Sequence, residues 1–331
     1  MPKTMWAQRL IAPFRYELEE ATAPTADDLA PGQVLLRLLV AGVCGSDLPF
    51  FKGTVTPRAT REGGRYRNPP GTPVHEIVGE VLASTTDDLR PGARAVGWAS
   101  DANGLAEYVI ADAAGLATYD ERLKPAEAVM VQPLACVMYA VDQLGPLAGV
   151  RTAVIGQGPI GLLFSHVLKS GGASHVTGVD RVDRGDVAGT FGVDECVFAA
   201  SSQWVAETAE QADPPTLVVE AVGHQTTTLA DGVGALGSNG HLYYFGIPDQ
   251  DVYPLPMYGF LRKNLRMSAG VTPAEHKKRS LVMANDYLAR YPELIGPYIT
   301  NVHTVDEATE AFRLATEPRP GQVKIVLTAQ S

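Results

Sequence analysis

Residues 152–161 read Thr-Ala-Val-Ile-Gly-Gln-Gly-Pro-Ile-Gly, and no other stretch limits the possible folds so tightly. Ala153, Val154 and Ile155 have the character of a buried strand, and a glycine-rich turn follows. Each glycine has a physical task. Gly156 makes the tight turn, Gly158 lets backbone approach a pyrophosphate, and Gly161 lets a helix pack close to the strand. Pro159 suits the first helical position, where its missing N–H costs nothing. Ile160, Leu162, Leu163, Val167 and Leu168 then recur at helical spacing. A second strand over 175–179 ends at Asp180, nineteen residues past Gly161, where an acid accepts hydrogen bonds from an adenosine ribose. Strand, turn, helix and acid together predict a dinucleotide site. Gly156, Gly158, Pro159, Ile160, Gly161, Asp180 and Arg181 are its expected cofactor-binding residues. Asp180 repels the 2′-phosphate of NADP and so favours NAD; Arg181 and Arg184 keep NADP open as the alternative.

The rest of the chain falls into two patterns. Residues 1–135 read as β-rich, with strands over 34–40, 76–84, 94–98 and 105–111 separated by turn signals, which suggests a barrel-like domain. From 136 the pattern alternates, with strands over 152–156, 175–180, 195–199, 216–222, 241–246 and 265–271, as in a doubly wound parallel sheet. A helix over 274–291, a polar turn and a helix over 306–316 follow. A last strand over 323–327 is expected to return to the first domain. The predicted class is α/β: a β-barrel domain of residues 1–135 and 272–331, and a Rossmann domain of residues 136–271.

A net charge of −10 argues against nucleic acid or an anionic membrane surface as partner. The sequence has no apolar run of membrane-spanning length and no signal-peptide core, so the expected location is the cytoplasm. Its three cysteines, Cys44, Cys136 and Cys196, are odd in number and far apart, so thiols or metal ligands are expected rather than a disulfide framework.

The first domain carries Cys44-Gly45-Ser46-Asp47 and, later, His75-Glu76-Ile77-Val78-Gly79. A thiolate and an imidazole suit zinc, and a catalytic zinc takes three protein ligands and keeps one open position. Asp47 is placed to accept a hydrogen bond from the non-ligating nitrogen of His75 and fix its tautomer. Ser46 is a hydroxyl placed to relay a proton. Taken singly, a cysteine or a histidine is also an ordinary structural residue.

Together with Gly104-Leu105-Ala106-Glu107-Tyr108-Val109, Gln132-Pro133-Leu134-Ala135, the glycine turn and the ending Gly321-Gln322-Val323-Lys324-Ile325-Val326-Leu327, these motifs run in a familiar order. The chain resembles, over essentially its whole length, the zinc-dependent medium-chain alcohol and polyol dehydrogenases, and is most similar to the sorbitol, threonine and sugar dehydrogenase branch. The resemblance implies a GroES-like catalytic domain completed by the C-terminus, an inserted Rossmann domain, and an active site in the cleft between them. It implies Cys44 and His75 as zinc ligands, Glu76 as a ligand or one that exchanges with water, and Gln132 at the position of a further ligand. Ser46, Glu76, Cys44 and His75 are the implied catalytic set. Gln132 stands where the polyol branch has Glu and alcohol dehydrogenases have Cys. Cys136, one helical turn on, reads as packing.

Three departures from the family pattern matter. Residues 97–107 lack the four cysteines of a structural zinc lobe, so one catalytic zinc and no structural zinc are expected. Leu48-Pro49-Phe50-Phe51 lacks the proton-relay histidine often found there, and Val74 replaces the usual Gly. The expected activity is hydride transfer between NAD and a polyol, sugar, cyclitol or similar small-molecule alcohol. An aldose 1-dehydrogenase and a zinc-free nucleotide-binding relative are the alternatives. Residues 52–71 hold Arg58, Arg61, Arg65 and Arg67 against one acid, Glu62, and read either as a solvated loop or as a lid gripping an anionic substrate group. A homodimer or homotetramer is expected by resemblance, through sheet edges near 241–247 and 257–261.

Overall fold

The computed structural model describes residues 3–54, 68–209 and 211–329. The four arginines and Glu62 of the basic loop lie outside them. The chain divides into two compact units: residues 1–136, 273–318 and 322–331, and residues 137–272 with 319–321.

In the first unit the long strand Gln33–Gly42 is the hub. Its sequence, Gln-Val-Leu-Leu-Arg-Leu-Leu-Val-Ala-Gly, buries apolar side chains along nearly its whole length, as a strand covered on both faces must. It pairs antiparallel with Glu76–Ser84, with Tyr108–Asp112 and with the returning strand Lys324–Thr328. Arg94–Trp98 and Leu116–Thr118 extend the sheet on one side, and Ile299–Thr304 on the other. Leu36, Leu38, Ile77, Leu105, Leu116, Phe51 and Phe312 meet in the core. Each is worth about 1.5–3 kcal/mol of apolar burial. Phe51 lies against Tyr16 and Phe312, with ring centroids 5.8 and 5.2 Å apart.

Two features of this unit differ from the sequence reading. Residues expected as a polar turn between the last two helices include the strand Ile299–Thr304, which runs parallel to Lys324–Thr328. Ile299, Thr300, Val302 and Thr304 are β-branched and suit a strand, and tertiary pairing outweighs the polar character that suggested a turn. The hairpin Thr4–Ala12 and Arg15–Thr22, antiparallel around Pro13 and Phe14, was not expected at all.

In the second unit six parallel strands stand in the order Glu195–Phe198, His175–Asp180, Arg151–Ile155, Leu217–Glu220, His241–Tyr244, Arg266–Ala269. Strand order reverses beside Arg151–Ile155, the switch point at which open α/β sheets bind ligands. His241–Tyr244 is hydrogen-bonded on both sides, so it is not a free edge; the edge is Arg266–Ala269. Among the described residues no helix is long and apolar enough to cross a membrane.

Candidate active site

The first candidate site, in the first unit, follows from strand register. Gly42 pairs with Glu76 in the antiparallel ladder. Cys44, just beyond Gly42, therefore arrives beside His75, just before Glu76. The two chemical motifs, distant in sequence, meet because one ladder ends where both begin. Cys44 Sγ, a ring nitrogen of His75 and a carboxylate oxygen of Glu76 lie within 4.8 Å of one another.

Asp47 organises this cluster. It ends the short 3-10 turn Gly45–Asp47 and is 1% exposed. Its Oδ2 accepts the Cys44 backbone N–H at 3.0 Å, and its Oδ1 lies 3.1 Å from His75 Nδ1. One carboxylate thus pins both ligand-bearing residues and leaves His75 Nε2 for another partner. Burial alone would lower the His75 imidazole, but the Asp47 carboxylate and the Cys44 sulfur outweigh it and raise it well above its ordinary range. Ser46 stands half-buried on the same turn.

Gln132 lies buried in the first turn of the helix Val131–Asp142. Its amide nitrogen faces Cys136 Sγ at 3.5 Å, and its Oε1 has no hydrogen-bond partner among the described residues. Burial and then the charges of Glu76, Cys44 and Cys136 raise the Tyr298 phenol. The cluster fits a divalent, borderline-soft cation: a cysteine sulfur, an imidazole and a carboxylate lie within reach of one another.

Three residues here escaped the sequence reading. Lys324, from the returning strand, is 1% exposed; its Nζ donates to Val43 O at 2.9 Å and sits 2.5 Å from Glu76 Oε2. The latter is an ion pair outside hydrogen-bond direction. A Cβ on Gly42 would lie 2.3 Å from the same oxygen, so the missing side chain makes room for the carboxylate. Tyr298, fully buried, is the third: the Glu76 charge acts on its phenol. Only a lysine in an otherwise apolar terminal strand hinted at any of this.

A second candidate site lies within the other unit. Gly156 has φ +91°, in the left-handed region, and forms the turn after Arg151–Ile155. A Cβ at Gly161 would sit 1.7 Å from Gly156 O, so the helix Pro159–Ser170 can lie this close only with glycine. A Cβ at Gly158 would meet nothing within 4 Å. Pro159 opens the helix with Ile160 next, both half-buried. Asp180 accepts the Gln157 N–H at 2.6 Å and the Val182 N–H at 2.8 Å, so its carboxylate is held against the turn. Arg181 is exposed beside it. Arg184 is buried, and its guanidinium donates to Arg319 O at 3.3 Å. Gln157 points inward: its amide donates to Val154 O, and its Oε1 accepts from Ser165. Glu220, also unexpected, is buried beside Ile155 and accepts from Thr228 and Gly223.

Known proteins bear on both candidate sites. Residues 30–123 match the family described as alcohol dehydrogenase GroES-like domain, and residues 159–284 the one described as zinc-binding dehydrogenase. D-arabinitol dehydrogenase 1 of Uromyces fabae is 24% identical over 75% of this chain and 77% of its own. Glucose 1-dehydrogenase of Metallosphaera sedula is 25% identical over 94% of each. A structure of the short chain alcohol dehydrogenase RspB of E. coli CFT073, complexed with NADH, superposes with a TM-score of 0.80 at 21% identity, over 98% of this chain and 99% of that one. The unit with the seven-stranded sheet is therefore the GroES-like domain and the six-stranded sheet the Rossmann fold. The chain belongs to the zinc-containing medium-chain alcohol and polyol dehydrogenases, NAD(P)-dependent oxidoreductases acting on CH–OH donors.

Proposed function

We propose that the protein transfers hydride between NAD(H) and the secondary alcohol or ketone of a polyol, sugar, cyclitol or similar hydroxylated metabolite, in the cytoplasm. The observation that carries this reading is the Cys44, His75 and Glu76 cluster organised by Asp47, on a chain that also holds the glycine turn and Asp180. Residues 1–135 and 272–331 serve as the catalytic domain and residues 136–271 as the cofactor domain.

When bound, zinc supplies Lewis acidity toward the substrate oxygen, and NAD supplies the hydride acceptor. The protein does the rest. Cys44, His75 and Glu76 hold the metal, with the Gln132 amide oxygen as a further donor. No structural zinc accompanies it. Asp47 keeps His75 Nδ1 occupied, so Nε2 is the nitrogen that would hold the metal. Ser46 receives the proton from the substrate hydroxyl and passes it outward; no histidine follows Asp47 to share the task. Gly156, Gly158 and Gly161 shape the pyrophosphate site, with Pro159 and Ile160 starting the helix behind it. Asp180 takes the ribose hydroxyls, with Arg181 at its rim. Arg184, tied to Arg319 O, is not poised for a 2′-phosphate, which supports NAD over NADP.

A second reading, oxidation of an aldose at its anomeric hydroxyl, draws on Gln132. A neutral amide in place of a carboxylate leaves the metal site less negative. Assay of polyols, sugars, cyclitols and amino sugars by NADH absorbance, beside metal analysis of the purified protein, tests both readings. Turnover of secondary alcohols with one zinc per chain is expected. Turnover of aldoses alone would favour the second reading, and full activity without metal would end both.

The active form is proposed as a homodimer or homotetramer built on the edge strand Arg266–Ala269. Supporting this, Met257, Tyr258 and Leu261 are 61–73% exposed on the helix Met257–Arg262, a large apolar surface for a monomer. Light scattering on the purified protein decides it; a monomer at micromolar concentration would overturn the assembly.

A further inference from the structure

Gln157 meets the strand His175–Asp180 at two points. Its side chain, 0% exposed, fills a slot where that strand has Gly178. A Cβ at Gly178 would lie 2.8 Å from Gln157 Cδ and 3.0 Å from Oε1, so a side chain there would collide with the amide. A glycine inside a strand weakens it and marks a close approach, and here the approach is that of Gln157. The second point is the backbone. Gln157 N–H donates to Asp180 Oδ2 at 2.6 Å, two residues beyond Gly178 and on the same face of the strand. The amide is fixed on its other sides as well. Its Nε2 donates to Val154 O at 3.1 Å, on the preceding strand, and its Oε1 accepts from Ser165 Oγ at 3.1 Å, on the following helix. The neighbouring Gly156 N–H donates to Val179 O at 2.8 Å.

We propose that Gln157 is a positioning residue: its buried amide aims its own backbone N–H at Asp180 and so fixes the carboxylate that selects NAD over NADP. This rests on reading Asp180 as the acid that takes the ribose hydroxyls. The physical reason lies in how a carboxylate is oriented. Asp180 has two backbone donors, Gln157 N–H on Oδ2 and Val182 N–H on Oδ1. With both in place it cannot rotate without breaking a charge-assisted bond. A carboxylate held still accepts from the ribose hydroxyls of NAD and repels the 2′-phosphate of NADP. The Val182 bond spans two residues and is local. The Gln157 bond spans 23 residues and exists only while the glycine turn keeps its place. The G-x-G-x-x-G pattern leaves its first x open. In this chain that position carries a side chain that locks the turn to a strand on each side of it and to the helix behind it. Loosening Gln157 therefore weakens the grip on the ribose hydroxyls and relaxes the exclusion of the phosphate. A glutamine that merely packs the turn makes a different prediction. Both dinucleotides share the pyrophosphate, so a slack turn weakens NADH and NADPH by the same factor.

The test is Gln157→Met, which keeps the length of the side chain and removes its hydrogen bonds, beside Gln157→Ala, which empties the slot. Dissociation constants for NADH and NADPH are read by fluorescence titration, with melting temperature as the check on folding. Both variants should bind NADH about tenfold more weakly than wild type and hold NADPH within about threefold, so the preference for NADH narrows. Ser165 Oγ keeps Gly161 O as a second acceptor at 3.0 Å, so its hydroxyl is not stranded in either variant. If Gln157→Ala does not fold, Gln157→Met carries the measurement. Equal weakening of the two dinucleotides, a widened preference, or no weakening of either overturns the role given to Gln157 and leaves the ribose site standing. A wild type that binds NADPH as tightly as NADH overturns the reading of Asp180 and this role with it.

Discussion

Replacing Gly158 and Gly161 by alanine, one at a time, separates a glycine needed by the protein from one needed by the cofactor. At Gly161 the new methyl would stand 1.7 Å from Gly156 O and 2.7 Å from Gly156 C. Both are backbone atoms of the turn, so no side chain can swing aside. Overpacking against such an obstacle costs about 3 kcal/mol or more, which at roughly 2–4 °C per kcal/mol lowers the melting temperature by about 6–12 °C. At Gly158 the backbone sits at φ −71°, ψ −169°, open to any L-residue, and the methyl meets nothing within 4 Å. Gly158 caps the helix Pro159–Ser170, and alanine caps slightly less well, so its stability should change by less than about 1 kcal/mol. The methyl instead fills space the pyrophosphate must enter. Losing one charge-assisted hydrogen bond from backbone to phosphate costs about 1.5–3 kcal/mol, or roughly 10- to 150-fold in affinity. The assay is NADH binding by fluorescence titration beside scanning calorimetry. Gly158→Ala should melt like wild type and bind NADH at least tenfold more weakly. Wild-type NADH affinity in Gly158→Ala would refute the placement of the pyrophosphate at this turn. A melting loss equal to that of Gly161→Ala would refute the steric reasoning.

Cys44→Ser should lose zinc and nearly all turnover while keeping NADH binding within a few fold; metal analysis and titration check this, and a zinc-loaded, active variant would contradict the ligand assignment. Asp180→Ala should raise KM for NAD at least tenfold yet gain little NADP activity, because Arg184 is tied to Arg319 O; efficient NADP turnover would show that Arg184 is free to turn. Burial opposes a low pKa at Asp194, but Lys169 at 2.8 Å and the Val176 N–H outweigh it and hold the carboxyl below its usual range. A lowered folded pKa contributes stability above the unfolded pKa and loses it as pH falls through the folded value. Asp194→Asn should therefore cost about 0.5–1 kcal/mol at pH 7 for this partly exposed pair. In urea denaturation that gap should hold down to about pH 4, near the unfolded carboxyl pKa, and close below it; closure by pH 5 would contradict the lowered pKa.

The dinucleotide turn was legible in full because its parts are local. Ala153 to Gly161 must form a strand, a turn and a helix in sequence, and each glycine answers to neighbours a few residues away. Cys44 and His75 were legible only as candidates. Their meeting depends on register between Gln33–Gly42 and Glu76–Ser84, which residue types do not state. The edge strand Ile299–Thr304 was missed because its pairing with Lys324–Thr328, and not its own composition, decides its state. His241–Tyr244 passed for a sheet edge because strand order, unlike strand content, is a tertiary property.

By itself, the sequence determined the fold class, the strand, glycine turn and helix over 151–170, and the kinds of ligand available to a metal, because these rest on contiguous patterns and on chemistry carried by single side chains. The tertiary structure alone decided that Lys324 reaches Glu76, that Gly42 makes room for the carboxylate and that Arg184 is tied to Arg319 O. The physical reason is the same in each case. Burial and charge pairing are set by what lies across a sheet or behind a loop, and residues from opposite ends of the chain become neighbours only once the strands have chosen their partners.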